Sequence, residues 1–94
     1  MIKLNPVLHQ ELRLSIVSFL STAKWVNFNA LLEITGATKG NLSVQLKKLE
    51  EANLIKIQKS FKNNYPLTEC QITTEGRKAL EQYVEDIKEM LNIK

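Results

Sequence analysis

The apolar residues of this 94-residue chain change their spacing near residue 53, and this change separates predicted helices from predicted strands. Up to that point apolar residues recur every three or four positions, which places their side chains on one face of an α-helix. Two such stripes are Leu8, Leu12, Ile16, Phe19 and Leu20, then Leu42, Leu46 and Leu49. Within residues 54–59, Ile55 and Ile57 alternate with Lys56 and Gln58 instead, which indicates a half-buried strand.

Residue types at the predicted element ends indicate where the first elements begin and end. Asn5–Pro6 predicts the start of the first helix, because Asn caps helices and Pro suits the first helical position. Residues 25–28 are aromatic and β-branched, as in a short extended segment. Asn27 or Asn29 can cap a short second helix, and Gly36 suits a left-handed residue that ends it.

A helix-turn-helix follows from the next capping signal. Thr38 suits the N-cap of a third helix, which the apolar stripe predicts over residues 39–53. A short helix, a glycine-containing turn and a second helix are the outline of a helix-turn-helix.

The second half of the chain predicts a hairpin. Residues 62–66 are rich in Asn and end in Pro, which is typical of a turn. The following segment alternates so that Cys70 and Ile72 face one side, which predicts a second strand and a buried, unreactive thiol.

A long final helix completes the predicted fold. Thr73 or Thr74 caps it, and it is predicted over residues 74–93. The order of elements predicts one α+β domain, mostly helical, over residues 1–94. The predicted fold is a winged helix-turn-helix with a three-helix core, a short first strand and a two-stranded hairpin wing. Its long C-terminal helix extends beyond the core and is predicted to mediate dimerisation.

Composition narrows the function classes. Hydrophobic residues are 44% and charged residues 24% of the chain, which are ordinary values for a globular domain. A single Cys and a single His argue against a disulfide, a metal site or a cofactor. Since no signal peptide or membrane-length apolar run is present, we expect a cytoplasmic protein without a membrane partner. No nucleophile–base pair or phosphate-binding loop suggests an enzyme.

Positive charge is concentrated in the middle of the chain. Residues 39–62 carry a net charge of +4, whereas residues 1–38 carry +1 and residues 63–94 carry −2. A basic segment between a nearly neutral and an acidic one suggests a face that binds a polyanion, although lysines also solvate ordinary exposed surfaces.

Two segments resemble winged-helix transcriptional regulators related to the MarR and ArsR groups. Residues 39–55, with the pattern LxxLxxxxLI, resemble their third helix and following strand, and residues 72–80, with ITxxGxxxL, resemble the start of their last helix. The resemblance covers about residues 8–90. Two departures are Asn53, where relatives usually carry Gly, and Leu67, near the place where relatives tend to carry a wing-tip Arg that inserts into the minor groove.

The resemblance implies a homodimer that binds specific double-stranded DNA with helix 39–53 in the major groove. A helical wheel places a polar face opposite Leu42, Leu46 and Leu49. The residues predicted to contact DNA are Thr38, Lys39, Gly40, Asn41, Ser43, Val44, Lys47 and Lys48 on this helix and Lys59, Lys62, Asn63 and Asn64 on the wing. Asn can pair with adenine, Val can contact a thymine methyl group, and Lys can reach guanine or phosphate.

The last helix predicts the dimer interface. Its apolar stripe is longer than a small domain needs to close its own core, and it comprises Leu80, Tyr83, Val84, Ile87 and Leu91. The sequence does not indicate whether a small-molecule effector exists. The alternative function is a winged-helix protein-interaction module without specific DNA binding.

Overall fold

The computed structural model describes residues 1–92 and contains, within them, four helices and three strands. In chain order these are α1 (Glu11–Leu20), β1 (Val26–Asn27), α2 (Phe28–Thr35), α3 (Lys39–Glu51), β2 (Ile55–Lys62), β3 (Tyr65–Ile72) and α4 (Thr74–Met90). The three strands form one antiparallel sheet in the order β1–β3–β2. The predicted α+β winged-helix fold is confirmed.

The first helix begins later than the sequence predicts. Asn5 does cap backbone groups, because its Oδ1 accepts hydrogen bonds from the amides of Val7 (2.9 Å) and Leu8 (3.3 Å). This capped segment is a turn, however, and it inserts the fully buried Leu8 into the core. The helix starts at Glu11, where the Gln10 side chain accepts from the Arg13 amide at 2.6 Å. The predicted start at Asn5–Pro6 is therefore wrong.

The other predicted caps are found where the sequence indicates. Asn27, not Asn29, caps α2 by accepting from the Ala30 amide at 2.8 Å. Gly36 ends α2 in the left-handed conformation, with φ of 69°. Thr38 caps α3, and Thr73 caps α4 by accepting from the Gly76 amide at 2.9 Å.

The wing is longer than predicted and its turn is shorter. Asn63 and Asn64 have φ of 52° and 65°, as expected for a two-residue type I′ hairpin turn. Tyr65 and Pro66, predicted as turn residues, lie in β3 instead. Pro66 is tolerated there because β1 reaches along β3 only to Glu69, so β3 has a single neighbouring strand beside Pro66.

The core lies between the helices and the inner face of the sheet, and α4 contributes Tyr83 to it. Its fully buried members are Leu8, Ile16, Val17, Leu20, Leu31, Leu42, Leu49 and Cys70. Cys70 lies opposite Ile57 on β2 and Val26 on β1, which confirms that it faces inward. Burial raises the pKa of the Cys70 thiol to about 11, with a further contribution from the negative charge of Glu50.

A close contact joins the end of α3 to the start of α4. The Leu54 carbonyl accepts from the Thr73 amide at 3.0 Å, and the Thr73 hydroxyl donates to the Asn53 carbonyl at 2.7 Å. Gly76 is buried here, and a Cβ in its place would overlap the Leu54 carbonyl oxygen. Asn53 has φ of 62°, the left-handed conformation for which Asn substitutes for Gly.

Helix α4 extends the molecule, whose dimensions are 51 × 25 × 22 Å. It ends at Met90, with Leu91 as its C-cap, and the predicted end at residue 93 lies outside the described residues. None of the helices formed by residues 1–92 is long and apolar enough to span a bilayer.

Candidate nucleic-acid interface

The outer face of α3 is polar and open to solvent. Leu42, Leu46 and Leu49 anchor the helix in the core. All eight residues that the sequence predicts at this face are exposed, namely Thr38, Lys39, Gly40, Asn41, Ser43, Val44, Lys47 and Lys48. Val44 has 51% of its surface exposed although it is apolar. The structure therefore gathers these residues on one continuous surface that is free to meet a partner.

The start of α3 is open at the backbone. The Thr38 hydroxyl accepts from the Asn41 amide at 3.1 Å, which fixes the first turn. Apart from its chain neighbours and the backbone of its own helix, nothing in residues 1–92 lies within 4 Å of a Cβ built at Gly40. The fold therefore does not require glycine here, whereas close approach of a phosphate to the helix N-terminus favours one.

A buried polar network lies behind this face, and the sequence did not predict it. Gln45 is 8% exposed and is the one buried polar side chain among the described residues. Its Oε1 accepts from Arg13 Nη1 at 2.6 Å, and its Nε2 donates to Asn41 Oδ1 at 3.0 Å. Arg13 is held in turn by the Val7 carbonyl, which accepts from its Nε at 2.6 Å. An available signal was Gln45 itself, a polar residue on the stripe that contains Leu42 and Leu49.

A cleft separates α3 from the wing. Its volume is about 700 Å³, and Ser43 and Lys47 line one side while Lys59 and Thr68 line the other. Glu50 lies at the same cleft and reduces its positive charge. The structure therefore brings Lys47 and Lys59 to one cleft, although they are predicted from separate elements.

The wing residues are divided between two faces. Side chains alternate along a strand, so Lys59 shares the inner face with Ile57 whereas Lys62 lies on the outer face. Asn63 and Asn64 form the exposed turn between the strands. The structure thus separates Lys59 from Lys62, and on the outer face it pairs Leu67 with Ser60.

Two exposed aromatic residues near the wing tip were not predicted as site residues. Phe61 has 78% and Tyr65 has 75% of its surface exposed. Phe61 pairs with Pro66, and Tyr65 pairs with Lys62, so the two rings lie on opposite faces of the wing. Each face of the wing tip therefore exposes one aromatic ring.

The apolar stripe of α4 is only partly free. Tyr83, predicted at a dimer interface, is 7% exposed and packs in the core of its own chain, where its hydroxyl forms a 3.0 Å hydrogen bond with His9 Nδ1. Leu80 and Ile87 are half-buried against the same core. The exposed part of the stripe is Val84 and Leu91, with Met90 beside them.

Comparison with known proteins agrees with this geometry. The family model of the winged helix DNA-binding domain matches residues 12–91. A protein of uncharacterised function from Methanocaldococcus jannaschii is 32% identical over 84 residues, which are 89% of this chain and 91% of that protein.

Solved structures share the fold. A transcriptional regulator homologue from Pyrococcus horikoshii has a TM-score of 0.85 at 26% identity, over 92% of this chain and 85% of that one. The M. tuberculosis transcriptional regulator MOSR, solved in complex with DNA, has a TM-score of 0.73 at 16% identity, over 92% of this chain and 61% of that one. Regulators of the MarR and ArsR families share the fold as well. The chain therefore belongs to the winged helix DNA-binding domain family, and its structural neighbours are transcriptional regulators of the MarR and ArsR families.

Proposed function

We propose that this protein is a cytoplasmic transcriptional regulator that binds specific double-stranded DNA as a homodimer, with α3 in the major groove. The observation that carries the proposal is the exposed face of α3. Its side chains are hydrogen-bonding, methyl-bearing or cationic, and the fold uses none of Ser43, Val44 and Lys47 for its core. A major groove about 12 Å wide admits one α-helix with such side chains. The regulator MOSR, which has this fold, was solved with DNA.

The residues of α3 divide the work by length and position. Lys47 and Lys48 lie more than a turn into the helix and are flexible point charges, which suits them to phosphates. Asn41, Ser43 and Val44 are shorter and lie nearer the start, where they reach base edges if that end enters the groove. Lys59, across the cleft from Lys47, would contact the sugar–phosphate backbone between helix and wing.

The exposed stripe of α4 supports the homodimer. Val84, Met90 and Leu91 remain exposed after the core of one chain has closed. A second copy that covers these side chains would form a symmetric dimer, in which each α3 would bind one half-site of the same duplex.

The test compares affinities for a duplex selected from a random pool with affinities for a scrambled duplex, at several salt concentrations. Lys47→Ala should weaken binding to both duplexes about equally. It should also lower the salt slope, which is the steepness with which log affinity falls with log salt concentration, by about 1. Asn41→Ala or Val44→Ala should instead narrow the gap in binding free energy between the selected and the scrambled duplex, by about 1–3 kcal/mol per lost base contact. Lys78→Ala removes the same charge from an exposed position of α4 and should leave the gap and slope unchanged.

The opposite pattern, with Lys47→Ala narrowing the gap and the other two leaving it unchanged, would reverse the assignment. If none of the three substitutions changed binding, α3 would not be the element that recognises DNA. In that case a protein-interaction module is the better function, and Phe61 and Tyr65, exposed on the two faces of the wing, would be its candidate contact residues. Association with DNA should weaken steeply with salt through counterion release, which such a module would not show.

A further inference from the structure

The buried hydrogen bonds behind α3 run from Arg13 through Gln45 to Asn41. Their donor-to-acceptor direction is fixed, because Arg13 can only donate. An arginine guanidinium carries five N–H donors and no acceptor. The atom of Gln45 that faces Arg13 at 2.6 Å must therefore be Oε1. The other end of this amide, the donor Nε2, then faces Asn41 at 3.0 Å, so the Asn41 atom that meets it must be the acceptor Oδ1.

Arg13 itself is held firmly enough to impose this direction. Its Nε donates to the Val7 carbonyl at 2.6 Å, and its Nη2 lies 3.5 Å from the Pro6 carbonyl. Within residues 1–92 no carboxylate pairs with it, so no acceptor competes with Gln45 Oε1 through charge. Gln45 is only 8% exposed, so water has little access to the amide through which it meets both partners.

The consequence lies at the exposed end of the network. Asn41 Oδ1 points back to Gln45, and its Nδ2 has no hydrogen-bond partner within the described part of the chain. Asn41 is exposed on the face of α3 proposed to enter the groove. It therefore presents a donor to the outside, with its orientation set from α1, 28 positions earlier in the sequence.

We propose that Arg13 and Gln45 are positioning residues that set base preference, by holding the Asn41 amide with Nδ2 toward the DNA. This role rests on the proposed function. In the major groove the acceptors are N7 of either purine, O6 of guanine and O4 of thymine, whereas N4 of cytosine and N6 of adenine are donors. The base edge met by Asn41 then presents an acceptor to Nδ2.

One isosteric substitution can reverse the direction of the hydrogen bond between residue 45 and Asn41. In Gln45→Glu the carboxylate accepts from Arg13 as before but has no N–H to offer Asn41. The Asn41 amide must then turn so that Nδ2 donates to the new carboxylate and Oδ1 faces the DNA. The paired Arg13 compensates the introduced charge, so the fold is retained.

The first measurement uses the free protein and is independent of DNA. Hydrogen exchange of side-chain NH₂ groups, followed by NMR, should be slow for Gln45 and fast for Asn41 in the wild type, since a buried bonded donor is protected. In Gln45→Glu the Asn41 NH₂ group should become slow. An Asn41 group that is already slow in the wild type, or that stays fast in Gln45→Glu, would overturn the proposed orientation.

The second measurement selects duplexes from a random pool with each variant. The wild type should favour an acceptor at one position, and Gln45→Glu should favour a donor there, with the affinity ratio of the two duplexes changing about tenfold. Asn41→Asp should shift the preference in the same direction, because it keeps an acceptor toward Gln45 and presents a second acceptor outward. The matched control is Gln71→Glu, which adds the same charge on β3 opposite Lys56 and should select the wild-type sequence.

The outcomes separate this role from the proposed function. If the wild type selects a sequence and Gln45→Glu retains the same base preference, the role of Arg13 and Gln45 is refuted while the proposed function stands. If the wild type selects no sequence at all, the proposed function fails and the role with it, and the exchange data still report which way the amide points.

Discussion

Gly40 and Gly76 are both helical glycines, but they have opposite surroundings. Gly40 faces open space at the start of α3, whereas Gly76 is buried against the Leu54 carbonyl. Beyond the backbone of its own helix, a methyl group at Gly40 therefore meets nothing among the described residues, whereas a methyl group at Gly76 meets the backbone of Leu54. The two positions allow the demands of the fold to be separated from those of DNA binding.

We expect Gly40→Ala to raise the free energy of unfolding by about 0.5 kcal/mol, because alanine costs less backbone entropy than glycine in a helix. The same change should weaken DNA binding, since its methyl group occupies the space that a phosphate or base edge would use. Urea unfolding and affinity for the selected duplex measure the two effects. Unchanged affinity would mean that the backbone at Gly40 does not approach DNA.

Gly76→Ala is the matched control and should act in the opposite direction on stability. Its Cβ would overlap the Leu54 carbonyl oxygen and lie 2.8 Å from Ile72 Cγ1. Overpacking of this kind costs about 1–3 kcal/mol. A Gly76→Ala variant as stable as the wild type would show that α4 can move away from the Leu54 carbonyl.

Cys70 predicts how stability changes in alkaline solution. Burial, and secondarily Glu50, raise its pKa from 9.0 to about 11. The folded state holds the thiol proton more tightly than the unfolded state does. The stabilisation that this gives is therefore complete below pH 9 and is lost as the pH rises toward about 11. Relative to Cys70→Ala, the wild type should lose about 2 kcal/mol of unfolding free energy over this interval. Urea unfolding of both proteins between pH 8 and about 11 tests this, and parallel curves would contradict it.

At the scale of elements, the wing is a two-faced strip. Lys59 lies on the inner face at the cleft with Lys47, and Lys62 lies on the outer face opposite Tyr65. We expect Lys59→Ala to weaken binding to all duplexes and lower the salt slope by about 1, and Lys62→Ala to have a smaller effect. A salt series on both variants measures this. A larger effect of Lys62→Ala would mean that the outer face of the wing meets the DNA.

Local signals predicted most of the element ends. The caps by Asn27, Thr38 and Thr73 each join residues three positions apart, so the relevant partners were visible in one short segment. The start of α1 was predicted wrongly, because Asn5 and Gln10 both cap backbone amides. Which of them begins the helix depends on the distant contacts that bury Leu8.

The sequence also predicted which α3 residues of the candidate site face outward, while their contact with DNA stays a prediction. Helical periodicity placed Asn41, Val44 and Lys47 outward, and the structure finds them exposed. Periodicity has no means of pairing Arg13 with Gln45, which are 32 positions apart and meet only when α1 packs on α3. The division of Lys59 from Lys62 likewise needed the hairpin register, which places the turn at residues 63–64.

At the scale of the whole molecule, the proposed dimer depends on α4. We expect wild-type protein to sediment at micromolar concentration with the mass of two chains. Val84→Asp should give one chain's mass, because an unpaired charge buried in an interface costs several kcal/mol. Val84 is 41% exposed in one chain, so the change should leave the fold intact by circular dichroism. Gln82→Asp, on the opposite side of α4, is the control and should remain dimeric. A wild type of one chain's mass would contradict the dimer.

The junction at Gly76 gives α4 a further consequence. Because the Leu54 carbonyl leaves no room for a side chain there, the end of α3 and the start of α4 behave as one rigid corner. The 17 residues of α4 form an arm about 25 Å long. In a dimer joined along such arms, a tilt of about 10° displaces the far end by about 4 Å, close to the rise of about 3.4 Å per base pair. The dimer would then discriminate the spacing of its half-sites. It would reject a pair whose separation is wrong by a single base pair, even when every base that α3 contacts is correct.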